Sequence, residues 1–207
     1  MTTKERIIVK ALELFAAKGY DGVSVRDIAQ EVGVRESALY KHYKSKQVIF
    51  DTIIEMASTR TEQIYKKLAV PAHTSKEVAQ MYQEISIEQL VEISCKLFRF
   101  YLSDEIVAPY RRILTIEQYR NSELQKRYAG QFINHTLQVY SKLFRSFIEN
   151  GMFKEVDADV LALHFYGPIY LLFQKYDLDR EHLEEGEQLI RNHVEQFARN
   201  YDKRVEA

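Results

Sequence analysis

Residues 24–46, which read SVRDIAQEVGVRESALYKHYKSK, decide how this chain is organised. Ser24 is a favoured N-cap residue with an acidic residue three positions later, so a helix is predicted to start just after it. Apolar residues at three- and four-residue steps give that helix one inner face, and Gly33 ends it. A second short helix is predicted at about residues 35–43, with Leu39 on its inner face. The stretch therefore predicts two short helices joined by a tight glycine turn.

Such a helix pair can place one helix across the DNA backbone and the other in the major groove. Arg35 is suited to guanine and Glu36 to cytosine, although an acid at a helix start equally indicates stabilisation of the helix dipole. Ser24 is expected to bring the first helix against a phosphate, and lysines beside the second helix to meet further phosphates. The residues that this pattern predicts to contact DNA are Ser24, Arg35, Glu36, Ser37, Tyr40, Lys41, Lys44 and Lys46.

A resemblance to a known family is carried, in this order, by Phe15, Gly19-Tyr20, Ser24-Val25, Ile28-Ala29, Gly33-Val34, residues 39–46 and Phe50. Over about residues 4–50 the chain resembles the DNA-binding domain of the TetR family of bacterial transcriptional regulators. The resemblance implies that Tyr40, His42 and Lys46 touch DNA, chiefly its backbone. Two positions depart from the family pattern, because Ser37 replaces the usual Gly and Tyr43 replaces the usual Phe.

The remaining chain has a helical period in almost every segment, and only 7 Gly and 3 Pro leave little material for a turn-rich fold. We predict an all-α fold of about nine helices, with a three-helix helix-turn-helix DNA-binding domain at residues 1–50 and a larger helical domain at residues 51–207. Residues 70–74 are the best candidate for a break between helices. By resemblance, the larger domain binds an effector and forms the dimer.

The charge distribution supports an anionic partner for the N-terminal domain. Residues 1–50 hold nine basic and six acidic residues, a net charge of +3, whereas the rest of the chain has a net charge of −4. A basic N-terminal domain followed by an acidic domain is typical of a protein whose N-terminal domain binds nucleic acid, although a charge difference of this size is weak evidence alone.

The segment at residues 158–176 is apolar on nearly all sides, which indicates burial on more than one face. A partner subunit could cover one face, so that this helix and the last helix form half of an intersubunit bundle. The alternative is an interior core helix, and the resemblance favours the dimer. The candidate interface residues are Leu161, Phe165, Ile169, Leu172, Ile190, Val194 and Phe197.

The larger domain is rich in aromatic residues, which at helical spacing are more often core than ligand site. A regulator nevertheless needs an apolar cavity with a few polar groups, and the absence of a charged cluster among these residues favours an apolar or aromatic effector. The candidate cavity residues are Phe98, Tyr101, Tyr128, Phe132, His135 and Tyr166.

Other classes of function have little support in the sequence. The six histidines form no metal-binding spacing, no nucleotide or catalytic motif is present, and Cys95 is a lone cysteine better suited to core packing. We therefore expect no enzyme, no metal, no cofactor and no membrane span, and a cytoplasmic location. The expected function is repression from a palindromic operator by a homodimer that a small effector releases, the alternative being an activator or a ligand-independent regulator.

Overall fold

The computed structural model describes residues 1–68 and 86–205, and the break expected at residues 70–74 lies outside them. Within the described residues the chain is helical, apart from an isolated β-bridge between Phe153 and Asp202. The first six helices are α1 (Thr3–Lys18), α2 (Val25–Val32), α3 (Glu36–Tyr40), α4 (Lys46–Lys67), α5 (Ile87–Ser103) and α6 (Val107–Glu117). Helix α7 consists of Ser122–Ala129, a π-helical turn Gly130–Asn134, and His135–Glu149; α8 is Ala158–Tyr176 and α9 is Leu183–Tyr201. The predicted all-α fold of about nine helices is confirmed.

Local sequence signals set the boundaries of the first helices. Thr2 and Ser24 cap α1 and α2, and each forms a reciprocal capping box with the acidic residue three positions later. Gly33 ends α2 in the left-handed conformation, at φ 76° and ψ 37°, which a residue without a Cβ adopts at little cost. Helix α3 spans only five residues, shorter than the predicted segment, although Lys41 keeps right-handed helical angles and the Tyr43 N–H donates to the Leu39 carbonyl at 3.0 Å.

Contacts between residues divide the chain into two compact units. The first unit contains Met1–Gln63 and Asp104–Tyr128, and the second contains Ile64–Ser103 and Ala129–Ala207. This division differs from a boundary at residue 50 because α4 contributes Ile49, Phe50 and Ile53 to the buried residues of the first unit. Helix α6 also packs against α1, which adds a segment far away in sequence to the DNA-binding part of the chain.

The second unit has an aromatic core between α5, α7, α8 and α9. The rings of Phe144, Phe165 and Phe197 lie 5.0–5.6 Å from one another. All seven candidate interface residues are buried in this core at 9% exposure or less, so they are not on a surface that a partner could cover. These seven side chains therefore pack within their own unit, and the apolar character of α8 on all sides does not show which side meets that unit.

Candidate DNA interface and effector cavity

The residues around α3 form one exposed face of the first unit. Leu39 is fully buried and Tyr43 is 4% exposed, so they hold the segment against the unit's core. Seven of the predicted DNA-contacting residues lie together on the solvent side, and all are exposed: Arg35, Glu36, Ser37, Tyr40, Lys41, His42 and Lys44. This face offers cationic, hydroxyl and aromatic groups without having to unfold any part of the unit.

Ser24 occupies the start of α2, but its hydroxyl is already engaged. The hydroxyl oxygen accepts from the Asp27 backbone N–H at 3.1 Å and donates to Asp27 Oδ2 at 2.7 Å. The bonds that the Ser24 hydroxyl and the Ser24 N–H donate to Asp27 Oδ2 hold the pKa of that carboxyl below its usual range. A phosphate at this end of α2 would therefore meet the exposed helix N-terminus, while the Ser24 side chain serves mainly as the cap.

Lys46 has a structural role that its position beside α3 does not reveal. Its ammonium donates to the backbone carbonyls of Tyr20 at 2.9 Å and Val23 at 3.0 Å. The same ammonium lies 4.2 Å from the centre of the Tyr20 ring. Because an ammonium has three donors, Lys46 keeps one for a phosphate while two hold the turn between α1 and α2.

The hydroxyl that distinguishes Tyr43 from the usual phenylalanine has a partner within the protein. It donates to the backbone carbonyl of Lys4 at 3.5 Å, and the Lys4 ammonium lies 5.7 Å from the Tyr43 ring. Tyr43 therefore fastens the end of the α3 segment to the start of α1. The Ser37 side chain, at the other departure from the family pattern, is exposed on the face around α3.

Two contacts in this unit have no signal in the local sequence. Arg6 donates to the carbonyl of Val32 and so neutralises the C-terminal end of α2. Glu117, at the end of α6, accepts from the backbone N–H of Tyr20 at 2.7 Å, across 97 positions of sequence. A pattern search along the chain detects periodicity and caps, but it cannot bring these distant residues together.

Residues 7–53 match the family described as bacterial regulatory proteins of the tetR family. The same segment contains the whole exposed face around α3. Over this segment the chain is similar to TetR-family transcriptional regulators. Regulators of this family act by binding DNA and are not enzymes.

A curated relative extends the similarity beyond residues 7–53. The chain is 27% identical over 157 residues to IcaR of Staphylococcus aureus strain Newman, a helix-turn-helix negative transcriptional regulator of the biofilm operon icaADBC. The alignment covers 73% of this chain and 83% of IcaR.

Solved structures of low identity share the fold over nearly the whole chain. The complex of SmeT with triclosan aligns with a TM-score of 0.66 and 15% identity, covering 98% of this chain and 92% of that chain. SmeT is the repressor of the Stenotrophomonas maltophilia multidrug efflux pump SmeDEF. A transcriptional regulator from Saccharomonospora viridis in complex with choline aligns with a TM-score of 0.59 and 20% identity, covering 95% of each chain.

The second unit encloses a cavity of about 50 Å³, lined by aromatic and hydroxyl-bearing side chains. Four of the predicted cavity residues lie in its wall: Phe98, Tyr101, Phe132 and Tyr166. Tyr128 is instead buried in the first unit, and His135 is exposed, so neither lines this cavity. Helical spacing places both residues on a face of α7 but does not show which part of the helix borders the cavity.

Two hydrogen bonds of tyrosine hydroxyls lie in the mostly aromatic wall of the cavity. The hydroxyls of Tyr65 and Tyr101 lie 2.9 Å apart in a hydrogen bond, and Tyr166 donates to the backbone carbonyl of Phe132 at 2.7 Å. Burial raises the pKa of Tyr101 well above its usual range, and the neighbouring Tyr65 adds to this shift. The sequence reasoning missed Tyr65, which is 36 positions from its partner.

Helix α8 also presents an apolar stripe to solvent. Val160, Leu163 and Leu171 are 45%, 54% and 65% exposed, and Gly167 and Pro168 lie between them on the same side. We call these five residues the α8 stripe. Among the described residues, no helix combines the length and the apolar character that crossing a membrane requires.

Proposed function

We propose that this chain is a TetR-family repressor that binds a palindromic operator as a homodimer and leaves it when a small neutral effector binds. The observation that carries the proposal is the exposed face around α3, whose residues are held outward by the buried Leu39 and Tyr43. The negative regulation named for IcaR supports repression rather than activation.

The DNA contacts divide into base-reading and backbone-binding groups. Arg35 and Glu36 stand at the start of α3, where a helix inserted into the major groove first meets base edges. Ser37, Tyr40, Lys41 and His42 extend this face. Lys44 and the remaining donor of Lys46 supply cationic contacts to phosphates, together with the N-terminus of α2 beside Ser24, and so set the position of α3.

The α8 stripe is the surface that we assign to the homodimer. Large exposed apolar side chains in a row on one helix lose contact with water when an equivalent helix packs on them, which is a favourable change. Gly167 and Pro168 are small residues in the middle of the α8 stripe, so the backbone of a partner helix can approach closely. A two-fold axis through this surface would relate the α3 segments of the two subunits. The two segments would then read two half-sites related by the same symmetry, which is a palindromic operator.

The cavity in the second unit is the site that we assign to the effector. No Asp, Glu, Lys, Arg or His is among its described lining residues, which favours a neutral ligand. The present volume of about 50 Å³ accommodates a few water molecules, so a ligand with an aromatic ring must displace wall side chains. The triclosan and choline complexes of SmeT and the S. viridis regulator support a ligand site in this fold.

The proposal is tested by selecting random-sequence duplex DNA with the purified full-length protein. We expect enrichment of a palindrome whose half-sites lie about one helical turn apart, or a multiple of it. Arg35→Ala should relax the preference at one base position, while the matched change Arg120→Ala, at an exposed arginine in the same unit, should leave it intact. No enrichment at low salt would refute the proposal.

The dimer and effector assignments have separate tests. Leu163→Asp and Leu171→Asp should give a monomer by light scattering, and Tyr119→Asp, at a side chain 87% exposed in the first unit, should not. Phenol and toluene should release labelled operator at lower concentrations than benzoate, because a carboxylate must lose its hydration in a cavity without a cation. Release by benzoate at equal concentration would contradict the neutral-ligand assignment.

A further inference from the structure

Two side chains from other helices, one acidic and one basic, form hydrogen bonds with the backbone of the turn between α1 and α2 (residues 19–23). Glu117 of α6 accepts from the Tyr20 N–H, while Lys46 of α4 donates to the carbonyls of Tyr20 and Val23. The two polar groups of the Tyr20 backbone are therefore both held by charged side chains. The bonds from the Lys46 ammonium are charge-assisted and therefore stronger than hydrogen bonds between neutral groups.

Glu117 makes this contact from a buried position. The residue is 1% exposed, and its second carboxyl oxygen, Oε2, is buried without a hydrogen-bond partner among the described residues. Burying a carboxyl group with one oxygen unsatisfied costs free energy. The bond from the Tyr20 N–H to Glu117 Oε1 offsets part of that cost.

Gly19 allows the turn to approach the carboxylate. Its φ is 77° and ψ 165°, a conformation that favours glycine, and a Cβ built on it would overlap Glu117 Oε1. Any larger residue would push the turn away from α6 and lengthen the bond to the Tyr20 N–H. The glycine and the glutamate thus form a matched pair, although the glycine alone belongs to the segment that matches the family.

The side chain of Tyr20 completes the attachment of the turn. Its ring lies 5.3 Å from Phe15 and 4.8 Å from Phe50, and its hydroxyl donates to Gln47 at 2.9 Å. The turn is therefore attached to α1, α4 and α6 immediately before the N-cap of α2. Its position determines where the N-terminus of α2, and with it the neighbouring α3, stands.

From this geometry we propose that Glu117 is a positioning residue for DNA binding, acting through the Tyr20 N–H on the turn that leads into α2. The proposal rests on the proposed DNA-binding function and extends the DNA-binding machinery to α6, which lies outside residues 7–53. Glu117 does not touch DNA. Without its carboxylate, the turn relaxes and the α2 N-terminus no longer meets its phosphate in a fixed geometry.

The test compares full-length variants on the operator recovered by selection, using fluorescence anisotropy at several salt concentrations. Glu117→Ala should weaken operator affinity by about tenfold and make its salt dependence shallower, because a phosphate contact is lost. Glu117→Gln keeps an acceptor for the Tyr20 N–H and should stay within about twofold of the original protein. Glu123→Ala removes an exposed carboxylate from the same unit and serves as the control.

Two further readouts separate positioning from simple stability. A destabilised fold lowers the fraction of active protein in a stoichiometric titration, whereas lost positioning changes the affinity and salt slope of the active fraction. Glu117→Asp retains the charge but falls short by one methylene, so it should also weaken binding if Glu117→Ala fails to fold. Hydrogen exchange at residues 19–23 should quicken in Glu117→Asp and remain slow in Glu117→Gln.

The outcomes distinguish this inference from the proposed function. If the original protein enriches no duplex, the DNA-binding function fails and Glu117 has no such role. If the original protein binds its operator and the Ala and Asp variants match it in affinity and salt slope, only the role of Glu117 is overturned. Equal losses in the Gln and Ala variants would also overturn it, because the acceptor would then not be the group that matters.

Discussion

Replacing Lys46 by alanine tests whether this lysine is a phosphate contact alone or also part of the fold. The structure gives its ammonium two backbone carbonyls, at 2.9 and 3.0 Å, and the face of the Tyr20 ring at 4.2 Å. At a half-buried position the two hydrogen bonds contribute roughly 0.75 kcal/mol each, and the ring contact about 0.5 kcal/mol. Lys46→Ala should therefore destabilise the first unit by about 2 kcal/mol.

The matched control for this change is Lys44→Ala. Lys44 is exposed, two positions away, and lies on the same face as the residues around α3. Its loss should leave stability unchanged and reduce the slope of log affinity against log salt by about 0.9, the value for one phosphate contact. Lys46→Ala should instead lower the melting temperature by roughly 4–8 °C, as expected for about 2 kcal/mol in a chain of this size.

Thermal melts followed by circular dichroism and operator titrations at several salt concentrations measure both quantities. The reasoning fails if Lys46→Ala melts at the original temperature while its salt slope falls as far as that of Lys44→Ala. That result would mean that the carbonyl contacts contribute nothing and that Lys46 serves DNA alone.

Three further predictions concern both units. Gly186→Ala should destabilise the second unit by about 1–3 kcal/mol in urea unfolding, because its Cβ would lie 2.8 Å from the buried Phe98 ring, which also lines the cavity. Burial raises the pKa of Tyr101, so the neutral phenol stabilises the folded state; this contribution is complete below pH 10 and is lost as pH rises through the folded pKa. In Tyr101→Phe the free energy of unfolding should therefore fall less steeply with pH in the alkaline range. Arg6→Ala should fray α2 at Val32 and speed amide exchange there, whereas Arg26→Ala, exposed on the same helix, should not.

The DNA-binding motif was predictable because its signals are local. The caps at Thr2 and Ser24, the turn at Gly33 and the inward Leu39 each follow from a few neighbouring residues. The exposure of the residues around α3 follows from the same periodicity. The sequence also indicated that the aromatic residues of the second unit include some that line a cavity.

The periodicity of apolar residues does not show which side of a helix its own unit covers, nor which part of a long helix borders a cavity. The α8 residues chosen for the interface, such as Phe165, belong to the inner side, and the outer side carries Leu163 and Leu171 instead. In a helix that is apolar all round, the sequence does not tell which side its own unit covers. Tyr128 and His135 lie outside the cavity wall because only the part of α7 around its π-helical turn borders the cavity.

The sequence by itself therefore determined the fold class, the helix-turn-helix and the set of side chains exposed around α3, because each depends on interactions within a few turns of chain. Only the tertiary structure shows that Glu117 accepts from the Tyr20 N–H and that Tyr65 bonds to Tyr101. It alone also shows which side of α8 is exposed to solvent. These contacts join residues that are tens of positions apart. They arise from the packing of whole helices, for which the spacing along one helix carries no information.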